Sequence, residues 1–454
     1  MRIEIPKKLQ ALARVFKDAG VPAYAVGGLV RNALLGLPGT DADICSRLRP
    51  EALRRVMEAA GYACADQGAR FGTLAILLED GERVEHTSFR ADDYAPGGAH
   101  RPRSVRFSDS LEEDAFRRDF TVNALYAALD TGELLDPTGG LEDLACGRLR
   151  ATGESPAAIM GSDALRVLRL VRFAGELGFS VEPATWAAAK ANAGGLLEIS
   201  VERIRGELDK ILLSDARYGR GALLDTLMRL EELRAFERFW PELAAGRGMA
   251  QRPEAHRYTV LEHGLRVCAA MPPVLALRLA GLLHDVGKPE SLRRTGNFHA
   301  HAGIGAAMAG ELLRRLRYER ALTMRTAALI ERHMYDIQGT AKDATLKKAF
   351  VRWGRAGTED MICMREADVR GCGYDEGYVQ RRWRALYGEM QAKGTPFSAA
   401  ELAVDGRDAL NAGLPPGPAV GAALEALLAH CALRPGDNTR ERLLKLLVNI
   451  RPQK

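Results

Sequence analysis

The chain has 454 residues, 47% hydrophobic and 27% charged, so it exceeds one compact core, suits about three domains of roughly 150 residues, and is neither wholly disordered nor fibrous. Its 64 basic and 59 acidic side chains leave a net charge of +5, a balance that permits a nucleic-acid partner without requiring one. Apolar runs such as Pro273–Leu283 are broken by Arg278, the first residues lack an apolar signal core, and seven scattered cysteines (45, 64, 146, 268, 363, 372 and 431) contain no C-x-x-C pair, so the expectation is a soluble cytoplasmic protein in a reducing compartment.

Patterning predicts a helix over Lys7–Ala19, a strand at Pro22–Val26, a Gly-Gly turn and a helix around Leu29–Leu35. A strand at Asp41–Cys45, a helix over Pro50–Ala60 and a hairpin at Leu74–Phe89 turning at Asp80-Gly81 complete a mixed sheet backed by helices. After Asp114 nearly everything reads as helix rich in Ala, Leu and Arg. Gly and Pro punctuate the chain near Gly153–Pro156, Gly246–Pro253 and Gly394–Phe397, which suggests segments 1–155, 156–245, 246–375 and 376–454.

The first chemical signal lies where a strand ends and a helix starts, at Ala23-Tyr-Ala-Val-Gly-Gly-Leu-Val-Arg31. Backbone N–H groups at Gly27 and Gly28, with the positive end of the helix dipole, can cradle a triphosphate. A tight turn also needs glycine for steric reasons alone. Asp41 and Asp43 stand two apart, and on a strand that period points both carboxylates to one face. Hard oxygen donors so placed suit Mg²⁺, with Glu85 on the adjacent strand as a third carboxylate.

Gly27-Gly-Leu-Val-Arg31, Asp41-Ala-Asp43, Arg117-Arg-Asp-Phe-Thr-Val-Asn123, Asp136-Pro-Thr-Gly-Gly-Leu-Glu-Asp-Leu144 and Ser162-Asp-Ala-Leu-Arg-Val-Leu-Arg169-Leu-Val-Arg172 follow one another through nearly half the chain. Together they resemble the class II tRNA nucleotidyltransferase and bacterial poly(A) polymerase family, whose head belongs to the polymerase-beta-like superfamily. The resemblance implies nucleotidyl transfer. Asp41 and Asp43, holding two Mg²⁺ ions, would activate an RNA 3′-hydroxyl, orient the α-phosphate and neutralise the departing pyrophosphate. It also implies that Gly28 and Arg31 contact the triphosphate while Arg118, Asp119 and Asn123 line the nucleotide pocket.

Asp163, Arg166, Arg169 and Arg172 are three apart and would form a ridge on a helix. A carboxylate accepts from an exocyclic amino group and an Arg donates to a ring nitrogen or carbonyl, so Asp163 with Arg166 would favour CTP and ATP. This agrees with the Asp-x-x-Arg pair of the family. The alternative is an ordinary helix ion pair worth about 0.2–0.5 kcal/mol. The chain departs from the family pattern at Asn32 and Ser162, where acids are usual.

Six of nine histidines (256, 263, 284, 299, 301 and 333) cluster in sequence. Leu261-Glu-His-Gly-Leu-Arg-Val267, Leu282-Leu-His-Asp-Val-Gly-Lys288 and Arg365-Glu-Ala-Asp-Val-Arg-Gly371 resemble the His…His-Asp…Asp pattern of HD-domain phosphohydrolases. That resemblance assigns His263, His284, Asp285 and Asp368 to a metal. Mixed imidazole and carboxylate donors select Mn²⁺, Fe²⁺, Co²⁺ or Ni²⁺ over Mg²⁺, for phosphoester hydrolysis with Lys288 steadying phosphate charge. His256, about two helical turns before His263, either shares its face or packs behind it. His299, His301 and His333 sit in stretches resembling those that rim the pocket, to touch phosphate or solvent; His86, His100 and His430 receive no role.

The expected class is α+β, a polymerase-beta-like head followed by an elongated all-α body with an embedded HD domain. The expected activity is CCA addition to tRNA 3′ ends from CTP and ATP, with an HD unit trimming 2′,3′-cyclic phosphate or 2′-phosphate ends. The tail from Leu402 through Gly421 and the helical stretch Ala422–Leu447 resemble the family's RNA-contacting segment. A poly(A) polymerase or an enzyme adding only CC or only A shares the head motifs, and an RNA-binding protein with HD phosphohydrolase activity alone is the reading from another class.

Overall fold

Leu9, Leu12, Ala13 and Phe16 recur at helical spacing, and helix α1 (Lys7–Asp18) buries that stripe. Strand β1 (Ala23–Val26) follows, then α2 (Gly28–Leu35), β2 (Asp43–Ser46), α3 (Pro50–Ala59), β3 (Ala63–Asp66), β4 (Thr73–Leu77) and β5 (Arg83–Ser88). The computed structural model describes residues 1–39, 42–93, 104–153, 155–254, 256–373 and 378–449. Two compact units result, Met1–Pro241 and Glu242–Lys454.

In the first unit, β6 (Arg90–Asp93) and β7 (Ser104–Phe107) pair with each other, while β8 (Tyr126–Ala128) and β9 (Leu134–Leu135) join the main sheet. Its order is β3-β4-β5-β2-β1-β8-β9. The β2–β5 pair is parallel and the other neighbours are antiparallel. The hairpin turn closes where expected, with the Leu78 N–H donating to Glu82 O and the Gly81 N–H to Leu78 O.

The largely helical stretch expected after Asp114 is interrupted by a few short strands. Besides β8 and β9, the short strands β10 (Arg148–Leu149) and β11 (Ser180–Val181) pair in parallel. Tyr126 and Ala127 are both buried, so the strand shows no alternation, and a run this short reads the same as a buried helix segment.

Helices α4 (Leu111–Phe116), α5 (Gly140–Ala145), α6 (Pro156–Ser162), α7 (Leu165–Leu177), α8 (Pro183–Asn192) and α9 (Val201–Leu212) carry the chain onward. Four more follow, α10 (Ser214–Tyr218), α11 (Leu223–Glu232), α12 (Phe236–Phe239) and α13 (Pro241–Ala244). All of α7 except Arg169 is buried, including Arg166, Arg172 and Glu176, so charged groups inside it require partners.

The second unit is helical: α14 (Val260–Ala270), α15 (Leu275–Leu283), α16 (Lys288–Thr295), α17 (His301–Arg315), α18 (Arg320–Arg332) and α19 (Asp343–Gly371). Gly354, with φ of 76°, breaks α19 into two stretches. Trp353 and Trp383 pack with Phe350 and Tyr335. Beyond α20 (Tyr378–Ala392) and α21 (Gly406–Asn411), the tail forms α22 (Pro418–Leu433) and α23 (Arg440–Asn449) around Leu427, Cys431, Leu443 and Leu447. The helical stretch expected over Ala422–Leu447 is made of these two helices, separated by a turn at Pro435–Asp437.

Candidate functional sites

The Gly-Gly turn is built by backbone geometry. Gly27 has φ of 72° and caps α2, a conformation that side chains disfavour. A Cβ there would lie 3.9 Å from Asp43 Oδ2 and 4.0 Å from Asn123 O, so the turn, the carboxylate and the Asn123 segment converge. Strand β2 starts at Asp43, and Asp41 lies outside the described residues. Parallel register sets Asp43 against Glu85, which places both side chains on one face.

Behind the turn runs a chain of polar contacts. Arg31 Nη1 donates to Asn123 Oδ1 at 2.5 Å, Asn123 Nδ2 donates to Asp119 Oδ1 at 3.1 Å, and Arg169 Nε donates to Asp119 Oδ2 at 2.7 Å. Burial lowers the Arg31 pKa to about 10. Burial alone would raise Asp119, but Arg169 and Arg166 hold its carboxyl down at about 2. Asn32 replaces the usual acid and still serves as an acceptor, taking bonds from Arg31 Nε at 3.2 Å and Nη2 at 2.9 Å. Its amide donates to Pro38 O and the Tyr218 hydroxyl.

Arg117 and Arg118 are not a surface pair. Both grip the fully buried Asp114, at 2.6 and 2.8 Å, and the Tyr126 hydroxyl donates to the same carboxylate at 2.8 Å. Asp114 escaped notice in the sequence, although its i,i+3 and i,i+4 spacing to two arginines was a readable signal.

The proposed ridge is also corrected. Asp163 caps α6 in an extended conformation (φ −148°, ψ 108°) and precedes α7, so it does not share a helix face with the three arginines. Its Oδ1 accepts from the Leu165 N–H, and its Oδ2 pairs with Arg203 at 2.6 Å. Arg166 donates to the carbonyls of Ile159 and Arg117, not to Asp163 as a simple helix ion pair would. Arg172 is buried between Glu207, at 2.6 Å, and Glu176, at 3.3 Å. Ser162 donates to Ile159 O.

The second cluster is tighter. His263 Nε2 lies 3.1 Å from His284 Nε2, 3.1 Å from Asp368 Oδ1 and 3.7 Å from Asp285 Oδ2, while His284 Nε2 stands 3.3 Å from Asp285 Oδ2. Donors about 2.1 Å from one ion stand about 3.0–3.4 Å apart, so this set fits a single cation. His284 Nδ1 is held by Gly281 O at 2.9 Å, which aims Nε2 inward. Burial opposes ionisation of Asp285, yet His284 and Lys288 hold its pKa well below the usual range; Asp368 is depressed too, against burial, by His263.

Lys288 already holds Asp285 Oδ2 at 2.6 Å and Gln251 Oε1 at 2.5 Å, so it braces the pair. His256 precedes α14 and shares no helix with His263; it packs edge-on against that ring at 4.7 Å, with Cys372 Sγ at 3.4 Å. Burial lowers its pKa to about 4. His299 is exposed as expected of a rim residue, but His301 and His333 are buried within the cluster.

Residues 23–150 match the poly A polymerase head domain, residues 178–246 the probable RNA and SrmB-binding site of polymerase A, and residues 254–370 the HD domain. Fold and matches together define a nucleotidyltransferase with a polymerase A head and an HD domain. The CCA-adding enzyme of Limosilactobacillus fermentum is 32% identical over 435 residues, 96% of this chain and 94% of that enzyme. That of Lacticaseibacillus paracasei is 42% identical over 225 residues, 49% of this chain and 53% of that enzyme. The chain belongs to the family of CCA-adding enzymes. The crystal structure of Bacillus stearothermophilus CCA-adding enzyme in complex with CTP is similar at a TM-score of 0.68 and 27% identity, covering 98% of this chain and 96% of that one. Thermotoga maritima CCA-adding enzyme complexed with tRNA_CCA shares the fold at a TM-score of 0.59 and 19% identity, over 97% of this chain and 94% of that one. No helix among the described residues is long and apolar enough to cross a membrane.

Proposed function

We propose that this enzyme adds C, C and A in order to tRNA 3′ ends from CTP and ATP, with Asp41, Asp43 and Glu85 as the acidic group of the transferase site. The observation that carries this reading is the Asp43 carboxylate beneath the Gly27 turn, in register with Glu85. Oxygen donors of this kind fit Mg²⁺, which when bound supplies positive charge to the triphosphate. Gly27 and Gly28 offer backbone N–H groups to phosphate, and Arg31, held by Asn32 and Asn123, adds a fixed guanidinium. Arg118, Asp119 and Asn123 wall the nucleotide pocket.

Asp163 and Arg166 select the base. Arg203 occupies Asp163 Oδ2 at 2.6 Å, so an incoming exocyclic amino group competes for the carboxylate with this guanidinium. Arg169 orients Asp119, and Arg172 stiffens α7. In this division residues 1–155 transfer, 156–245 select nucleotide and hold RNA, 246–375 hydrolyse and 376–454 contact tRNA. The HD set of His263, His284, Asp285 and Asp368 suits a transition ion and trims phosphorylated 3′ ends for repair.

Incubating the protein with tRNA ending at the discriminator base should give three added residues in the order C, C, A. A homopolymer of A, or a stop after CC or a single A, would replace this reading. Asp163→Ala should erode the preference for CTP and ATP over GTP and UTP by roughly 10-fold or more, since one base-specific pair is worth about 1–3 kcal/mol. Competition between the four nucleotides on one acceptor measures it, and unchanged selectivity would remove Asp163 from the selecting pair.

A further inference from the structure

The stretch before α14 and the turn after α19 come together around a thiol. The Arg257 N–H donates to Cys372 O at 3.2 Å. Gly373, with φ of 80°, lets the turn close in, since a Cβ there would meet the Tyr258 ring at 2.9 Å and Arg257 Cδ at 3.1 Å. This backbone clasp sets Cys372 Sγ 3.4 Å from His256 Nδ1, and the His256 ring stands edge-on to that of His263 at 4.7 Å. One donor atom from each of His256, His263 and Cys372 lies within 4.8 Å of the other two.

His263 is the odd member of the HD set. A histidine that ligates an ion through Nε2 ordinarily donates its Nδ1–H to a carbonyl or carboxylate, as His284 Nδ1 does to Gly281 O at 2.9 Å. His263 Nδ1 is fully buried and has no hydrogen-bond partner among the described residues. In the tautomer that ligates through Nε2, the Nδ1–H lacks an acceptor; in the other, Nε2–H faces Asp368 Oδ1 at 3.1 Å and the Nδ1 lone pair is left open. Both are costly for a buried polar atom, and an ion on Nδ1 removes the cost of the second.

A thiolate with two imidazoles is a soft donor set that selects Zn²⁺ over Mg²⁺ or Mn²⁺. Around a tetrahedral Zn²⁺, sulfur at about 2.3 Å and nitrogen at about 2.0–2.1 Å stand about 3.5 Å from each other, and Cys372 Sγ and His256 Nδ1 are 3.4 Å apart. His256 and Cys372 are partly exposed, which gives the ion a path in and the displaced thiol proton a path to solvent.

We infer that His256, His263 and Cys372 bind a thiophilic divalent ion, Zn²⁺ by preference, and that this ion takes His263 from the HD set and turns the phosphohydrolase site off. A neutral imidazole has one lone pair for a metal, so His263 serves one ion at a time. The inference rests on the HD-site reading above and adds a regulatory site that competes with it for one ligand.

The test uses full-length protein carrying Mn²⁺ and titrates it with Cd²⁺, a soft ion whose bond to thiolate absorbs in the ultraviolet. Wild type should gain that absorption and release Mn²⁺ in step, read as the free-ion electron paramagnetic resonance signal. Cys372→Ser should keep its Mn²⁺ content, lose the absorption and need roughly 10-fold or more Cd²⁺ for the same release. His256→Ala should shift the same way at unchanged Tm. No absorption in wild type, absorption that survives in Cys372→Ser, or equal Mn²⁺ release from the two proteins would overturn the inference. The HD reading stands in each of these cases if His263→Ala lowers the Mn²⁺ content of untreated protein. Content indifferent to His263 would remove the HD reading itself.

Discussion

Asp43→Ala is expected to lower nucleotide incorporation by roughly 10³-fold or more, about 4 kcal/mol of transition-state stabilisation. The position explains the size. Asp43 opens β2 between β1 and β5, its carboxylate beside the Gly27 turn and level with Glu85. An alanine leaves the strand pairing intact, because the ladder is made by backbone groups, so the loss falls on chemistry and not on folding. Asp43→Asn keeps the shape and removes the charge, and should be nearly as damaging. Single-turnover incorporation of CTP on a defined tRNA acceptor measures both variants. A rate within a few fold of wild type, at unchanged Tm, would take the acidic site away from β2.

Asp114→Ala should instead damage the fold of the first unit. The carboxylate is fully buried beneath Arg117, Arg118 and the Tyr126 hydroxyl. Removing it leaves two largely buried guanidinium groups without their counter-charge, a change that costs about 3–5 kcal/mol. For a unit of this size the Tm of its unfolding transition should fall by roughly 6–12 °C. A variant melting within two degrees or so of wild type would show that the guanidinium groups find other partners.

The same carboxylate makes the fold sensitive to acid. Burial pushes the Asp114 pKa up, but Arg118 and Arg117 prevail and hold it down from 3.8 to about 2. The unfolded chain therefore binds the proton more readily, and stability rises with pH across this interval. The contribution, about 2 kcal/mol, is complete above the unfolded value and is lost as pH falls through the folded one. Asp119, held at about 2 against burial by Arg169 and Arg166, acts in the same direction. Thermal unfolding between pH 5 and pH 2 should show a steeper loss for wild type than for Asp114→Asn.

Local pattern alone carried much of this protein. The strand, glycine turn and helix from Ala23 to Leu35, the β4–β5 hairpin, and the His284-Asp285 pair at the end of α15 were legible because turn chemistry and short-range periodicity are written in consecutive residues. The Asp114–Arg118 and Arg172–Glu176 pairs, four apart, were open to the same kind of reading. Tertiary structure decided the rest. Arg203 reaches Asp163 from α9, Glu207 neutralises Arg172 from the same helix, and Glu85 stands level with Asp43 only through the parallel β2–β5 register. His301 and His333 look like rim residues in sequence, yet α17, packed close on Gly287, and α18 bring them, buried, to the second oxygen of Asp285. Contacts between residues tens of positions apart depend on how helices and strands approach in space, and no local period records that approach.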